Sequence, residues 1–460
     1  MTRPVKRDGA HWGRPGARAP RIADVGLALD GERLPFGAGR SYGDVCRCDD
    51  GTLLVAATPP SLSLDAETGI LTADAHATLG DVLHHLAGTG WFPPVLPGTR
   101  HVTLGGALAN DVHGKNHHRR GTFGAHVVSL DLRRSDGTLL ACSPDENADI
   151  FAATIGGMGL TGRVERLRLR LMTVASPRID QTILPFESLA GFERVEATHA
   201  GNHEYAVAWL DSLGREATGY LIVGDHAREA GPVPRWSDAR LSIPLTPPVP
   251  LLAGPPLRAF NWAYARANRN RGSSTVDPAA FFFPLDAIDR WNRLYGPRGL
   301  HQHQSVVPDL AIVERLLRTC RAAGQGSFLT VLKRFANRPS PALLSFPREG
   351  WTLTLDVADR GARTADLITR LDAIVLEAGG GLNAYKARAM PGETFRAAYP
   401  DWHALEARRD PAFMSDLWKR VLGRQRVDAP PLAINQFSEG DVQPVRETNQ
   451  ATAKPEDVKT

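Results

Sequence analysis

Leu167, Leu169 and Leu171 alternate with Arg166, Arg168 and Arg170 along residues 164–171. A period of two puts each set on its own face, so the pattern predicts a half-buried strand with a basic outer side. Trp351, Leu353, Leu355 and Val357 repeat the alternation, leaving Thr352, Thr354 and Asp356 on the opposite face. Shorter apolar runs predict strands over 69–74, 127–132, 205–211, 302–307 and 328–335. Elsewhere the period lengthens. Leu310, Val313, Leu317 and Cys320 fall at helical spacing, with Gly324 as a stop. Leu367, Ile368, Leu371, Ile374, Val375 and Ala378 do the same before Gly379-Gly380-Gly381. A further helix is predicted over 79–86 with Thr78 as its N-cap, and Ser135-Asp136-Gly137 reads as a turn.

Segment 241–257 breaks both periods. It carries six prolines among Leu, Ile and Val. Proline fixes φ and removes a backbone donor, so a long irregular loop is expected. Strands and helices mixed without strict βα alternation predict an α+β fold. Residues 1–25 read as a flexible arm, and the polar tail 429–460 as disordered.

The 460 residues are 42% hydrophobic and 23% charged, which fits a soluble globular chain with a sizeable core. The 54 basic residues exceed the 50 acidic ones by only four, with no basic stripe beside a docking motif, so nucleic acid is not an expected partner. Four cysteines are too few for a disulfide scaffold, and no Cys or His pairs complete a zinc site. No apolar run reaches the ~18 residues of a membrane span. Residues 1–22 lack the apolar segment of a secretory signal, so a cytoplasmic location is expected.

Three glycine-rich segments carry the candidate chemistry. They are Gly37-Ala38-Gly39-Arg40-Ser41-Tyr42-Gly43-Asp44, the run from Pro97-Gly98-Thr99 through Thr103-Leu104-Gly105-Gly106 to Asn110-Asp111-Val112-His113-Gly114-Lys115, and Gly156-Gly157-Met158-Gly159-Leu160-Thr161-Gly162. Glycine lets backbone approach a ligand, and successive N–H groups cradle a pyrophosphate. None is a Walker loop or the glycine turn of a Rossmann unit. Taken singly, each is equally well a set of tight turns; three within about 130 residues favour one shared dinucleotide.

These segments, with His113-Gly114-Lys115-Asn116-His117-His118 and the later Trp291-Asn292-Arg293, Lys386 and Ala398-Tyr399-Pro400, resemble the vanillyl-alcohol-oxidase, or PCMH-type, FAD-binding family. More narrowly the chain is similar to the decaprenylphosphoryl-β-D-ribose 2′-oxidases, over about residues 30–422. The resemblance implies a two-part FAD domain, 26–175 with a C-terminal return at 381–428. Between them, at 176–380, it implies an inserted antiparallel-sheet substrate domain covered by helices.

The resemblance also implies roles. Gly37, Gly39, Arg40, Ser41, Tyr42, Gly43, Asp44, Gly98, Thr103, Gly105 and Gly106 hold FAD, Asn110, Asp111 and His113 run beside the flavin, and Val164 lies near adenine. Asn383 is a further candidate flavin contact, standing where the family usually has Tyr. The first glycine run contains neither His nor Cys, so FAD is expected to be non-covalent. Lys386 is the candidate base, with His113 as second catalytic residue. Lys115, Trp209, Gln302, Gln304, Lys333, Phe335 and Thr354 are the candidate substrate residues. A Lys on a strand face with Leu329, Val331 and Phe335 is unusual unless it meets an anion, which suits a substrate phosphate at Lys333.

The implied reaction is oxidation at C2′ of a polyprenylphosphoryl pentose, within the epimerisation of ribose to arabinose for cell-wall arabinan. The implied partner is an NAD(P)H-dependent short-chain reductase. The apolar 241–257 segment, followed by Arg258, Arg266, Arg269 and Arg271, makes 241–271 a candidate peripheral membrane contact. Two other readings stay open: a sugar-1,4-lactone oxidase of the same fold, and a non-catalytic basic binding protein.

Overall fold

The leucine–arginine alternation at 164–171 builds the strand Arg163–Arg170, in which Leu167 and Leu169 are fully buried. Its outward arginines answer acids on neighbouring strands: Arg166 lies 3.5 Å from Asp74 and Arg168 3.8 Å from Asp131. Half-exposed pairs like these contribute about 0–1 kcal/mol each, so the leucines hold the strand. The computed structural model describes residues 12–13, 21–25, 31–214, 216–229, 236, 239, 241–268 and 272–423. The chain divides into units Met1–Val427 and Asp428–Thr460, and only the first contains described residues. The tail expected to be disordered therefore lies outside them.

Strand Arg163–Arg170 belongs to a five-stranded antiparallel sheet. In spatial order its strands are Leu62–Asp65, Ile70–Asp74, Arg163–Arg170, Val127–Arg133 and Leu139–Cys142. Leu79–His85 and Leu104–Ala109 pack their Leu79, Val82, Leu104 and Leu108 against Leu71, Leu167 and Leu169. Thr78 starts the first helix through a reciprocal capping box with Asp81.

A second, eight-stranded antiparallel sheet runs in the order Ser273–Val276, Ile179–Phe186, Gly219–His226, Tyr205–Leu210, Val331–Phe335, Gly350–Ala358, Leu300–Val307 and Gly381–Leu382. Helices Leu189–His199, Leu310–Ala322 and Ala362–Glu377 cover one face, joining Phe192, Val313, Leu317, Leu367 and Leu371 to Leu332, Leu353 and Leu355. The other face carries Gln304, Lys333 and Thr354 toward a cavity. From the last strand, Gly381–Leu382, three short helices lead back across the molecule. Arg33 and Ala412, Met414 and Arg33, and Asp416 and Arg47 are joined by backbone hydrogen bonds of 2.8–3.0 Å.

Mixed helices and antiparallel sheets agree with the α+β reading. Strand Gly350–Ala358 is buried on both faces from Thr352 onward; on its polar face Thr354 lines the cavity and Asp356 accepts from Gln302. Two local expectations need correction. The proline-rich segment opens with the short strand Leu241–Ser242, paired with Ile288–Asp289, and is irregular only from there to Ala253; helix Gly254–Asn268 follows, with Pro255 and Pro256 in its first turn, where a missing N–H costs nothing. The described parts of the expected flexible arm are built into the fold: Arg21–Asp24 pairs with Thr52–Val55, and Trp12 packs edge-on against Trp291 at 5.8 Å.

Candidate active site

A cavity of about 440 Å³ lies between the glycine-rich segments and the polar face of the eight-stranded sheet. Its first wall is backbone. A Cβ at Gly37 would collide with the Thr103 hydroxyl, so glycine there lets the first run lie against the second. Thr103 caps Leu104–Ala109 by accepting from Gly106 N at 3.1 Å. Gly39, Ser41, Tyr42, Gly98, Gly105 and Asn110 line the same wall, and Val164 lies at the end beside Gly162 and Arg163. Arg40 also lines it, its guanidinium 4.4 Å from the Trp12 ring centre.

Five sequence candidates stand behind the wall instead of on it. Gly43 packs against the Ala387 carbonyl, and Asp44 forms an ion pair with Arg420. Asp111 is buried and accepts from Gly124 N at 2.9 Å and from Ser340 Oγ and Ser345 Oγ at 2.6 Å each. Asn383 donates to Gln304 Oε1 at 2.8 Å. Phe335 is fully buried and packs edge-on against the His113 ring at 4.8 Å.

Three half-buried lysines face the cavity from different elements. Lys386 follows strand Gly381–Leu382, and its Nζ sits 4.6 Å from the Tyr42 ring centre. Shielding from bulk water pushes its pKa down to about 8, against the opposing pull of Asp356. Lys333, on strand Val331–Phe335, is pushed down to about 7, by burial first and then by Lys115 and Lys386. Lys115 is lowered to about 8 by burial; its Nζ donates to the Phe281 carbonyl.

His113 has a neighbour at each ring nitrogen. Lys333 Nζ lies 3.1 Å from Nδ1, and Gln304 Nε2 lies 2.9 Å from Nε2. Burial, then Lys333, His117 and Lys386, hold the ring's pKa well below the ordinary histidine value. The imidazole is therefore neutral; the Gln304 amide nitrogen donates to Nε2, and Nδ1 faces Lys333 Nζ, which also donates to the Gly114 carbonyl at 3.2 Å. It ties Lys333 to Gln304, and neither nitrogen is free to act on a substrate without breaking that tie.

Sequence reasoning missed Asp356 as a site residue. It is fully buried, accepts from Gln302 Nε2 at 2.5 Å, and has a second oxygen with no hydrogen-bond partner among the described residues. Burial pushes its pKa up to about 7; Gln302 and Lys386 oppose that. The signal was available: Thr352, Thr354 and Asp356 give one polar face to a strand whose other face is wholly apolar. Asp286 and Tyr385, which were not singled out either, line the cavity itself.

Buried polar atoms on these walls fit a polar cofactor. Arg40 Nε and Asn110 Oδ1 have no partner within the described residues. Such groups cost free energy unless a ligand satisfies them. Residues 30–143 match the family model described as FAD binding domain. The chain is 32% identical over 450 residues to decaprenylphosphoryl-beta-D-ribose oxidase of Mycolicibacterium smegmatis, covering 89% of this chain and 96% of that protein.

The chain belongs to the decaprenylphosphoryl-β-D-ribose oxidase family.

It is an FAD-dependent oxidoreductase. An uncharacterised Streptomyces coelicolor protein from the mprA 5′ region is 33% identical over 368 residues, covering 74% of this chain and 99% of that one. Human Delta(24)-sterol reductase is 28% identical over 145 residues, 31% of this chain and 27% of that protein, a partial likeness beside the near full-length match to the oxidase family.

Proposed function

We propose that the chain oxidises the C2′ hydroxyl of a polyprenylphosphoryl pentose, converting a ribosyl unit to its 2-keto form. The observation that carries this is three lysines lining one cavity, with the buried Asp356 carboxylate acting on Lys386 from behind its wall. Such a site attracts an anion and holds a base of lowered pKa. The name of the Mycolicibacterium smegmatis relative supports the sugar and the lipid.

Bound FAD supplies the acceptor for the carbinol hydride. Gly37, Gly39, Ser41, Gly98, Thr103, Gly105, Gly106 and Val164 hold it, with Asn110 and Arg40 offering their unpartnered polar atoms. Lys333 and Lys115 take the substrate phosphate. Neutral Lys386 accepts the hydroxyl proton at Nζ, while Gln302, Gln304 and Thr354 hydrogen-bond the sugar and Trp209 packs beyond it. His113 is a positioning residue that fixes Lys333 and Gln304. Asp111, Asp44, Gly43, Asn383 and Phe335 brace the cofactor and substrate walls from behind.

FAD is bound without a covalent link. The first glycine run has no His or Cys, and burial pushes the nearby Cys46 thiol up to about 12, which keeps it protonated and unreactive. The FAD domain is two-part, 26–175 with 381–428, and the backbone bonds between 33–47 and 412–416 support that return. A keto sugar needs reduction to finish an epimerisation, so an NAD(P)H-dependent short-chain reductase is the pathway partner. Among the described residues no helix is long and apolar enough to cross a membrane, so a lipid-linked substrate is met through peripheral contact at 241–271. Arg269 and Arg271 of that segment lie outside the described residues.

Incubation with polyprenylphosphoryl ribose and an electron-accepting dye tests the reading. The expected product is lighter by two hydrogens and traps with a carbonyl reagent. Oxidation of a free sugar lactone in preference to the lipid-linked pentose would overturn it.

A further inference from the structure

Helix Gly254–Asn268 is inverted for a helix that covers a core. Its inward stripe is Leu257, Asn261, Tyr264, Ala265 and Asn268, and two of those five are asparagines. Asn261 donates to Asp211 Oδ1 at 2.7 Å and Asn268 to the Tyr264 carbonyl at 2.9 Å. The large aromatics point the other way: Trp262 is 68% exposed and Phe260 37%. Eight large hydrophobics are exposed among the described residues, and six fall within 241–262. The other four are Leu241, Leu245, Val249 and Leu251. A concentrated apolar surface of this kind marks a binding surface.

Its chemistry selects the occupant. Residues 241–268 contain no Asp or Glu, and their only charges are the exposed Arg258 and Arg266. The Arg266 guanidinium lies 6.0 Å from the Trp262 ring centre. Aliphatic and Trp side chains that sink into an interface, with arginines beside them for anionic headgroups, match a lipid surface.

The same helix also walls the cavity. Tyr264 lines its apolar end with Trp209, Ile222, Leu329 and Val331. An aromatic row connects the two sides. Trp209 and Tyr264 lie 4.6 Å apart, Tyr264 and Phe260 6.0 Å, and Phe260 and Phe328 4.5 Å, measured between ring centres. One helix thickness separates the exposed surface from the cavity.

The geometry points to helix Gly254–Asn268 as the threshold over which an isoprenoid chain passes from a lipid surface into the cavity. Phe260 and Trp262 lie in the lipid, and Tyr264 and Trp209 contact the isoprene units nearest the phosphate. This deepens the polyprenyl-phosphate reading and rests on it for the natural substrate.

The test uses the holoprotein and two sugar-free probes: phosphatidylcholine–phosphatidylglycerol vesicles, and a farnesyl phosphate carrying a photoactivatable diazirine. The double variant Phe260→Ser, Trp262→Ser is expected to lose about tenfold or more in vesicle co-sedimentation at unchanged FAD content. The diazirine is expected to label peptides containing Tyr264 and Trp209. Unchanged co-sedimentation, or label confined to other elements, would overturn the proposal. So would a dimer, seen by light scattering, that the double variant abolishes. Neither probe needs oxidation. A protein that labels at Tyr264 yet oxidises no polyprenylphosphoryl pentose therefore contradicts the proposed reaction, whereas one that oxidises it without such label contradicts the threshold.

Discussion

Lys386 is asked to do the proton chemistry, and its surroundings set the pH at which it can. A lysine accepts a proton only when neutral. With its pKa lowered to about 8, the rate of flavin reduction is expected to rise with pH and level off above that value. Asp356 favours the ammonium form, so Asp356→Asn removes a stabilising negative charge and lowers the lysine pKa. The rising limb should then move to lower pH in stopped-flow traces; a limb that stays put would free Lys386 from Asp356. Lys386→Met should keep its flavin and lose roughly two to four orders of magnitude in reduction rate. Lys333 is proposed to bind the phosphate instead. Lys333→Met should raise KM for the phosphorylated substrate by about tenfold to a hundredfold, the loss of one charged hydrogen bond, with a much smaller change in kcat. The placement of Lys386 and Lys333 at the cavity was legible in the sequence, one through family resemblance and one through its place in an apolar strand. The His113 link to Gln304 was not: the two residues are 191 positions apart, and no local pattern encodes such a meeting.

Among elements, those with one dry and one wet face were the readable ones. Arg163–Arg170 and Leu310–Ala322 carry their burial in their period. Strand Gly350–Ala358 does not, because its polar face is buried too, with Thr354 on the cavity. Helix Gly254–Asn268 was hidden because its apolar side chains face outward and two prolines open it. The third glycine run offers a test of packing between elements. Gly156 has φ +69° and would place a Cβ 2.7 Å from the Leu344 carbonyl oxygen. Gly156→Ala should therefore cost about 1–3 kcal/mol, from left-handed strain plus a backbone clash. Denaturant titration of the holoprotein measures it, and an unchanged midpoint would show that the Leu344 segment yields freely.

On the scale of the whole molecule, the two sheets were not assembled by any sequence pattern, since their meeting depends on contacts between distant segments. The family resemblance supplied the cofactor, and the cavity between the sheets gives it a fitting site. Acid precipitation should leave the yellow colour in the supernatant; flavin retained in the pellet would mean a covalent bond. Deleting 243–256 should weaken binding to anionic vesicles at low salt while FAD content stays constant. Equal co-sedimentation of the deleted and intact proteins would leave that segment a cover for the cavity alone.

The most direct measurement is anaerobic mixing of the FAD-loaded protein with polyprenylphosphoryl ribose, following the flavin absorbance. Full bleaching in a single turnover is expected, slowed by the Lys386→Met substitution and accompanied by one equivalent of 2-keto product. Flavin that stays oxidised with this substrate, in a protein whose flavin a chemical reductant bleaches normally, would contradict it.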